Sequence, residues 1–400
     1  MTGSTDLPSP PGPPPVVRRR RRGKGTYIVV GVIVVVLVFV GIGFPTNWYG
    51  LYHPPTSPGT CPAGITLSGA GANFLLALIG QWQISYTSAT SNQVNYNPDG
   101  AGAGITAFAE STVDFAATDE PLNVSEVHSL PGTTLTLPVT GGAVTIIYNV
   151  PGFSGPLRIT GPQLAKIYLG TISNWDDPAL AVNNSGLPNA QIITVHRLDA
   201  AGATYVFTNL LSDDSHDWAS GPGMSISPTW PRTPGPQVAE KGNSALATYV
   251  STTPDAIGYV DLADAVSKGV SIASVLNPAG KFIQPTVTDT QSAITNLSGQ
   301  PFPSATGDWT NVSFVNSPGS SDYPVATLSY FLILQNPGLG YAPSLQKAQV
   351  LIQWMSWSIT SGQASAHGLY YVNPPPKLLT QDASALTALS YNGASIPSCT

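Results

Sequence analysis

The chain has 400 residues, with 15 Lys and Arg against 21 Asp and Glu, a net charge of −6, 42% hydrophobic residues and only 9% charged ones. A chain this apolar is not intrinsically disordered. Its two cysteines cannot by themselves build a structural zinc site, and no His-Glu-x-x-His pattern supplies a catalytic one.

Residues 1–26 begin with repeated prolines and end in a basic cluster, Arg18 to Arg22 with Lys24, and read as a disordered cytoplasmic tail. The uncharged run from Tyr27 to Phe44 is about as long as the shortest helix that crosses a bilayer, so a transmembrane anchor is expected there. A basic cluster directly before a span stays on the cytoplasmic side, which places the C-terminal bulk outside a single-pass cell-membrane protein. A cleaved signal peptide is the alternative, but it needs an apolar stretch of roughly 7–15 residues and a small-residue cleavage site. Phe44, Pro45, Thr46, Asn47 and Trp48 stand here instead. The arginines are a topology signal that also touches anionic lipid, and no nucleic-acid partner is expected. Residues 45–60, with Pro45, Pro54, Pro55 and Pro58, form a semi-stiff linker.

Outside the basic cluster and Asp6, nine basic residues face twenty acidic ones, and only Arg158, Arg197 and Arg232 are arginines. The exported part exceeds the size at which a single core usually stops growing, so two lobes are expected. Cys61 and Cys399 bracket it, and an oxidising compartment favours a disulfide between them over two free thiols.

From Cys61 onward, strand-like and helix-like runs alternate: Ile65–Leu67, then Asn73–Tyr86, Val94–Tyr96, Ile105–Glu110 and Val113–Ala116. Ala143–Tyr148, Ile192–His196 and Ile257–Val260 read as buried strands, and Pro162–Leu169, Thr204–Leu211 and Ser344–Ser358 as helices. The class is α/β. Three glycine-rich turns, Ser68 to Asn73, Asp99 to Gly104 and Asp199 to Thr204, each follow a strand and open a helix. Such turns expose amides at the positive end of a helix dipole and suit an anion, although tight packing alone also selects them. Trp82, Trp175, Trp230 and Trp354 read as core or interlobe packing, the dispersed histidines show no metal spacing, and sequons stand at Asn123, Asn183, Asn296 and Asn311.

Several of these blocks, in order, resemble the phosphate-binding proteins of phosphate ABC transporters, the PstS-like family of periplasmic binding proteins. The resemblance runs through Gly69-Ala70-Gly71-Ala72-Asn73-Phe74, Asp99 to Ile105, Val113 to Leu122, Tyr148 to Gly152, Ile167 to Trp175, Val195 to Asp199, Lys241-Gly242-Asn243 and Ala256 to Val260. It implies a type II two-lobed fold, with one lobe at 61–138 and about 318–400 and the other at about 139–317. It further implies that phosphate or a related oxyanion sits at Asn73, Phe74, Ala101, Asp119, Arg197, Ala201, Gly202 and Ala203, supported by Asp199 and Thr204. No cofactor or metal is implied, and the partner is an ABC permease. In this reading Asp119 accepts a hydrogen bond from a protonated oxygen and rejects fully ionised sulfate, while the planar fork of Arg197 donates to the anion. A plain lobe-stabilising ion pair of Asp119 with Arg197 is the competing reading, and Asp199 reads equally as a helix cap.

The chain departs from the family at Asn73, Ala101, Ala201 and Ala203, where hydroxyl donors are the rule. Each lost hydrogen bond to a charged group is worth roughly 1.5–3 kcal/mol, and backbone amides or Thr204 are the available replacements. Two non-enzymatic functions follow: a membrane-anchored solute-binding protein that delivers phosphate to a permease, or the same fold with altered or lost binding, acting as a receptor or scaffold. An enzyme is not expected, since no Gly-x-Ser-x-Gly elbow, P-loop lysine or dense His/Asp cluster is present.

Overall fold

In the computed structural model, which describes residues 61–397, most of the apolar runs become strands of one mixed sheet and the segments after them become helices. The tail, the basic cluster, the expected span at Tyr27–Phe44 and the linker lie outside the described residues, as does Cys399 and with it the expected bridge to Cys61. Among the described residues no helix is long and apolar enough to cross a membrane.

The strands that position the cleft are β1 (Thr66–Gly71), β2 (Gln93–Asn97), β3 (Phe115–Thr118), β4 (Thr134–Asn149), β5 (Ile193–Arg197), β6 (Gln237–Glu240), β7 (Ala256–Asp261) and β8 (Val325–Leu334). The helices are α1 (Leu76–Thr90), α2 (Ala101–Ala109), α3 (Gly161–Tyr168), α4 (Gly202–Asp214), α5 (Asn243–Thr252), α6 (Leu345–Ser358) and α7 (Pro376–Thr387). The sheet runs β2-β1-β3-β8-β4-β7-β5-β6.

Each end of this sheet is a parallel βαβ layer, with β1 pairing in parallel with β2 and β3, and β5 with β6 and β7. Between them β4 is antiparallel to both its neighbours: Thr134–Ala143 pairs with β8 and Val144–Asn149 with β7. All of β8, and all of β4 except its two end residues, are buried, as expected of strands covered on both faces. Two α/β lobes are therefore joined through β4, which pairs with β8 along its first half and with β7 along its second.

Each lobe is filled by aromatic side chains. In the first, Trp82 of α1 packs edge-on against Trp354 of α6 at 6.0 Å and Phe331 of β8 at 6.2 Å, and its indole N–H donates to the Gly362 carbonyl at 2.7 Å. In the second, Phe207 of α4 stacks on Tyr259 of β7 at 4.3 Å and meets Tyr168 of α3 edge-on at 4.9 Å. Trp82, Trp175 and Trp354 are fully buried, and the partly buried Trp230 stacks on His196, so these tryptophans are packing residues. Removing any fully buried ring costs roughly 3–5 kcal/mol. Two sequon asparagines, both exposed, also make structural bonds: Asn123 caps a helix, and Asn296 donates to both oxygens of Asp322.

Candidate functional site

In an open α/β sheet the strand order reverses at a crevice beyond the carboxyl ends of the strands, and ligands bind there. Here both lobes point those ends at one another. Asn73 follows β1, Asp119 follows β3, Arg197 closes β5, Asn243 follows β6 and Asp261 closes β7. The three glycine-rich turns supply the helix starts around this crevice.

Their glycines fall into two groups. Gly71, at φ +140°, leaves no room for a side chain because it faces the Ala117 backbone of β3, and Gly104 leaves none because α2 rests directly on Ala70 and Gly71 of β1. Gly100 and Gly202 serve the crevice. A Cβ on Gly100, at φ +102°, would lie 2.8 Å from the Ala200 carbonyl and 2.9 Å from Asp199 Oδ2, across the lobes. A Cβ on Gly202 would lie 2.5 Å from Asp119, so only glycine lets the N-terminus of α4 reach that carboxylate.

Asp119 is 2% exposed, and its Oδ1 accepts a hydrogen bond of 2.6 Å from the Ser329 hydroxyl of β8. Burial pushes its carboxyl up to about 7, against the opposing pulls of Ser329 and the Arg197 charge. At neutral pH Asp119 is thus poised between a carboxylate that accepts and an acid that donates. Its partner is the serine: the guanidinium pairs elsewhere.

The Arg197 side chain is 1% exposed and forks onto Asp199, with Nε donating to Oδ1 at 2.8 Å and Nη2 to Oδ2. Burial opposes ionisation of Asp199, but the bonds and charge of Arg197, with the Gly242 amide at 3.1 Å, hold its carboxyl below the usual range. Nη1 donates to Asn243 Oδ1, and Nη2 also reaches Asn73 Oδ1 at 2.8 Å. The Asn243 amide is fixed in turn by donating to Asp261 Oδ2 at 2.5 Å. A buried, oriented cation thus stands beside the dipole of α4 and opposite a protonatable acid, and the three together fit a desolvated oxyanion that carries a proton.

Comparison with known proteins agrees with this geometry. Residues 56–361 match the family model described as a PBP superfamily domain. The phosphate-binding protein PstS of Xylella fastidiosa is 34% identical over 336 residues, 82% of this chain and 86% of its own. The chain belongs to the PstS family of the PBP superfamily. The PstS protein of Pasteurella multocida is also 34% identical, over 78% of this chain and 88% of its own. A high-affinity periplasmic phosphate-binding protein, PfluDING, solved with phosphate bound, has a TM-score of 0.68 at 20% identity over 83% of this chain and 99% of that one, which shows a common fold.

Within the family frame, the residues singled out in the sequence have separate fates. Asn73, Asp119, Arg197, Asp199 and Gly202 meet in the crevice. Asp199 is the partner of Arg197 and not a cap, since α4 is capped at Ala201 with no side-chain bond. The competing ion pair of Asp119 with Arg197 is not the one that forms, because Asp199 takes the fork. Ala101, Ala201 and Ala203 are buried and offer no side-chain donor, and the Ala201 amide is used by the Ile226 carbonyl at 3.1 Å. Gly202 and Ala203 open α4, where first-turn amides have no intrahelical partner. The Phe74 ring packs over Gly142, leaving only its backbone for the cleft. The Thr204 hydroxyl is 2.8 Å from the Tyr259 hydroxyl, either of which can be the donor, and Tyr259 also accepts from the Arg197 amide at 3.2 Å.

Sequence reasoning missed Ser329 and Asn243 as site residues. Ser329 and Thr327 are the polar residues of the otherwise apolar run Val325–Leu334, and a buried hydroxyl needs a partner. Asn243 lies in the Lys241-Gly242-Asn243 block, whose position after a strand is the same signal that marks the three turns.

Proposed function

We propose that the chain is an extracytoplasmic solute-binding protein that closes its lobes on phosphate, or a closely related oxyanion, and delivers it to an ABC permease. The observation that carries this reading is the pairing across one crevice of a fully oriented arginine with an aspartate poised to exchange a proton. Arg197 and the start of α4 offset the anion's charge, and Asp119 requires that one of its oxygens carry or accept a proton. No bond is made or broken; selectivity comes from desolvation in a closed cleft.

The expected anchor at Tyr27–Phe44 completes the proposal by holding the binding domain at the outer face of the cell membrane, its N-terminus cytoplasmic. A tether of this kind raises the effective concentration of the domain near a permease in the same membrane.

Calorimetric titration of the purified full-length protein with phosphate, arsenate and sulfate tests the reading. Heat with phosphate and arsenate, and binding of sulfate weaker by about 100-fold or more, is expected. No heat with any oxyanion overturns it and leaves the same fold serving as a receptor or scaffold.

A further inference from the structure

A guanidinium has five N–H donors, and protein acceptors take four of those on Arg197. Nε and one Nη2 hydrogen go to Asp199, one Nη1 hydrogen to Asn243, and the second Nη2 hydrogen to Asn73. Only one N–H of Nη1 is left. Asp199 and Asn243 belong to the same lobe as Arg197, whereas Asn73 reaches it from the other lobe, between β1 and α1.

The orientation of the Asn73 carboxamide follows from its partners. Its Nδ2 donates to the Pro98 carbonyl, which can only accept, and its Oδ1 faces a guanidinium, which can only donate. The two bonds lock each other. Around them the lobes are already in contact: the Gly102 amide lies 3.5 Å from the Ala200 carbonyl, and Lys241 Nζ lies 3.4 Å from Asp99 Oδ1. The acceptor that Asn73 gives to Arg197 is chemically what an oxyanion oxygen would give.

We infer that Asn73 is the specificity-determining latch of the cleft: its carboxamide occupies an Arg197 N–H that an oxyanion oxygen would otherwise take, holding the lobes closed without ligand and weakening oxyanion binding by competition. This rests on the reading of the cleft as an oxyanion site. A shorter hydroxyl side chain at the position frees the Nη2 hydrogen and removes the bond between the lobes, so closure comes to depend on ligand. The cost is conformational, because a ligand that finds its partners already satisfied must displace one of them.

Two readouts on the full-length protein test this. The first is the distance between spin labels on Ile84→Cys and Val182→Cys, exposed positions of the first and second lobes, measured without phosphate. The parent is expected to give one short distance that phosphate does not change, and Asn73→Thr and Asn73→Ala a longer, broader distribution. The second is phosphate affinity by calorimetry, expected to be about tenfold tighter in Asn73→Thr, as one recovered charge-assisted hydrogen bond implies. Asn73→Ser repeats both measurements if Asn73→Thr does not fold. Opening of the variants without phosphate, if no form of the protein binds any oxyanion, would sink the oxyanion reading and the competition with it, leaving Asn73 only as a contact between the lobes. Phosphate binding by the parent, with variants that neither open nor gain affinity, overturns the latch and leaves the oxyanion reading standing.

Discussion

The two walls of the cleft are built by the same topology, parallel strands ending at helix starts, yet they treat a buried aspartate in opposite ways. On the first lobe Asp119 has a serine hydroxyl for company and is pushed up to about 7; on the second, Asp199 has the fork of Arg197 and is held below the usual range. Burial raises both, more strongly at Asp119 than at the partly buried Asp199, and only Asp199 is hydrogen-bonded by the guanidinium. The second wall is a fixed charge array, and the first is a proton switch. Arg197→Ala should break this comparison most severely. It removes the anion's charged donor and strands Asp199, and loss of one partner of a buried hydrogen-bonded charge pair costs about 2–5 kcal/mol, on the order of 100-fold in phosphate affinity. Arg197→Lys keeps the charge without the fork, and calorimetry should place it between the parent and Arg197→Ala.

The switch on the first wall predicts the next largest effect, on stability. The Asp119 carboxyl is raised from 3.8 to about 7, so between those values the folded protein holds a proton that the unfolded chain releases. Its contribution is therefore fully present below about pH 4, falls as pH rises towards 7 and is flat above that. Glu120, Asp261 and Asp382 are also buried and raised, and they slope the same way. Asp119→Asn isolates one term: the stability of the parent relative to the variant, from urea unfolding, should drop by on the order of 2 kcal/mol between pH 5 and pH 8. An unchanged difference would mean that Asp119 is an ordinary carboxylate and that the two walls are alike. The same variant should lower the preference for phosphate over sulfate by roughly tenfold at pH 8, since an amide no longer repels a fully ionised oxygen. In the parent, that preference should be sharper at pH 8 than at pH 6, because Asp119 repels sulfate only when ionised.

The contrast also separates what the sequence revealed from what it hid. Asp119, Arg197 and Asp199 were legible because each stands in a recognisable block after a strand, and because arginine is rare after the basic cluster. The alternating runs gave the α/β class for the same reason. β8 was not legible, since a strand buried on both faces shows no alternation, and β4 was seen only in its second half, because Gly141 and Gly142 break the apolar run where Phe74 packs. With β8 went Ser329, whose role depends on a pairing between strands distant in sequence. The bonds of Asn73 to Arg197 of the other lobe and to Pro98 were not legible, since they depend on how the lobes meet and neither is written in local sequence.

The opposition of the two walls recurs at the mouth of the cleft, where Lys241 of the second lobe meets Asp99 of the first at 3.4 Å, with the side chains 63% and 48% exposed. The charges are of the same kind as those deeper in, but water reaches both, and exposed pairs contribute roughly 0–1 kcal/mol. Asp99 is also committed locally, its other oxygen accepting from Asn97 at 2.6 Å, so losing the lysine strands nothing. Lys241→Ala should therefore weaken phosphate binding by at most about fivefold at low ionic strength, and the loss should vanish near 0.5 M salt, where screening acts over about 4 Å. Titrations of the parent and the variant at both salt concentrations measure it. A loss that persists at high salt would show that this pair is shielded when the lobes close and that the proton switch and the buried fork are not the only electrostatic contacts holding the ligand. A loss that disappears would confine the selective interactions to the interior of the cleft, where desolvation gives Arg197 and Asp119 their strength.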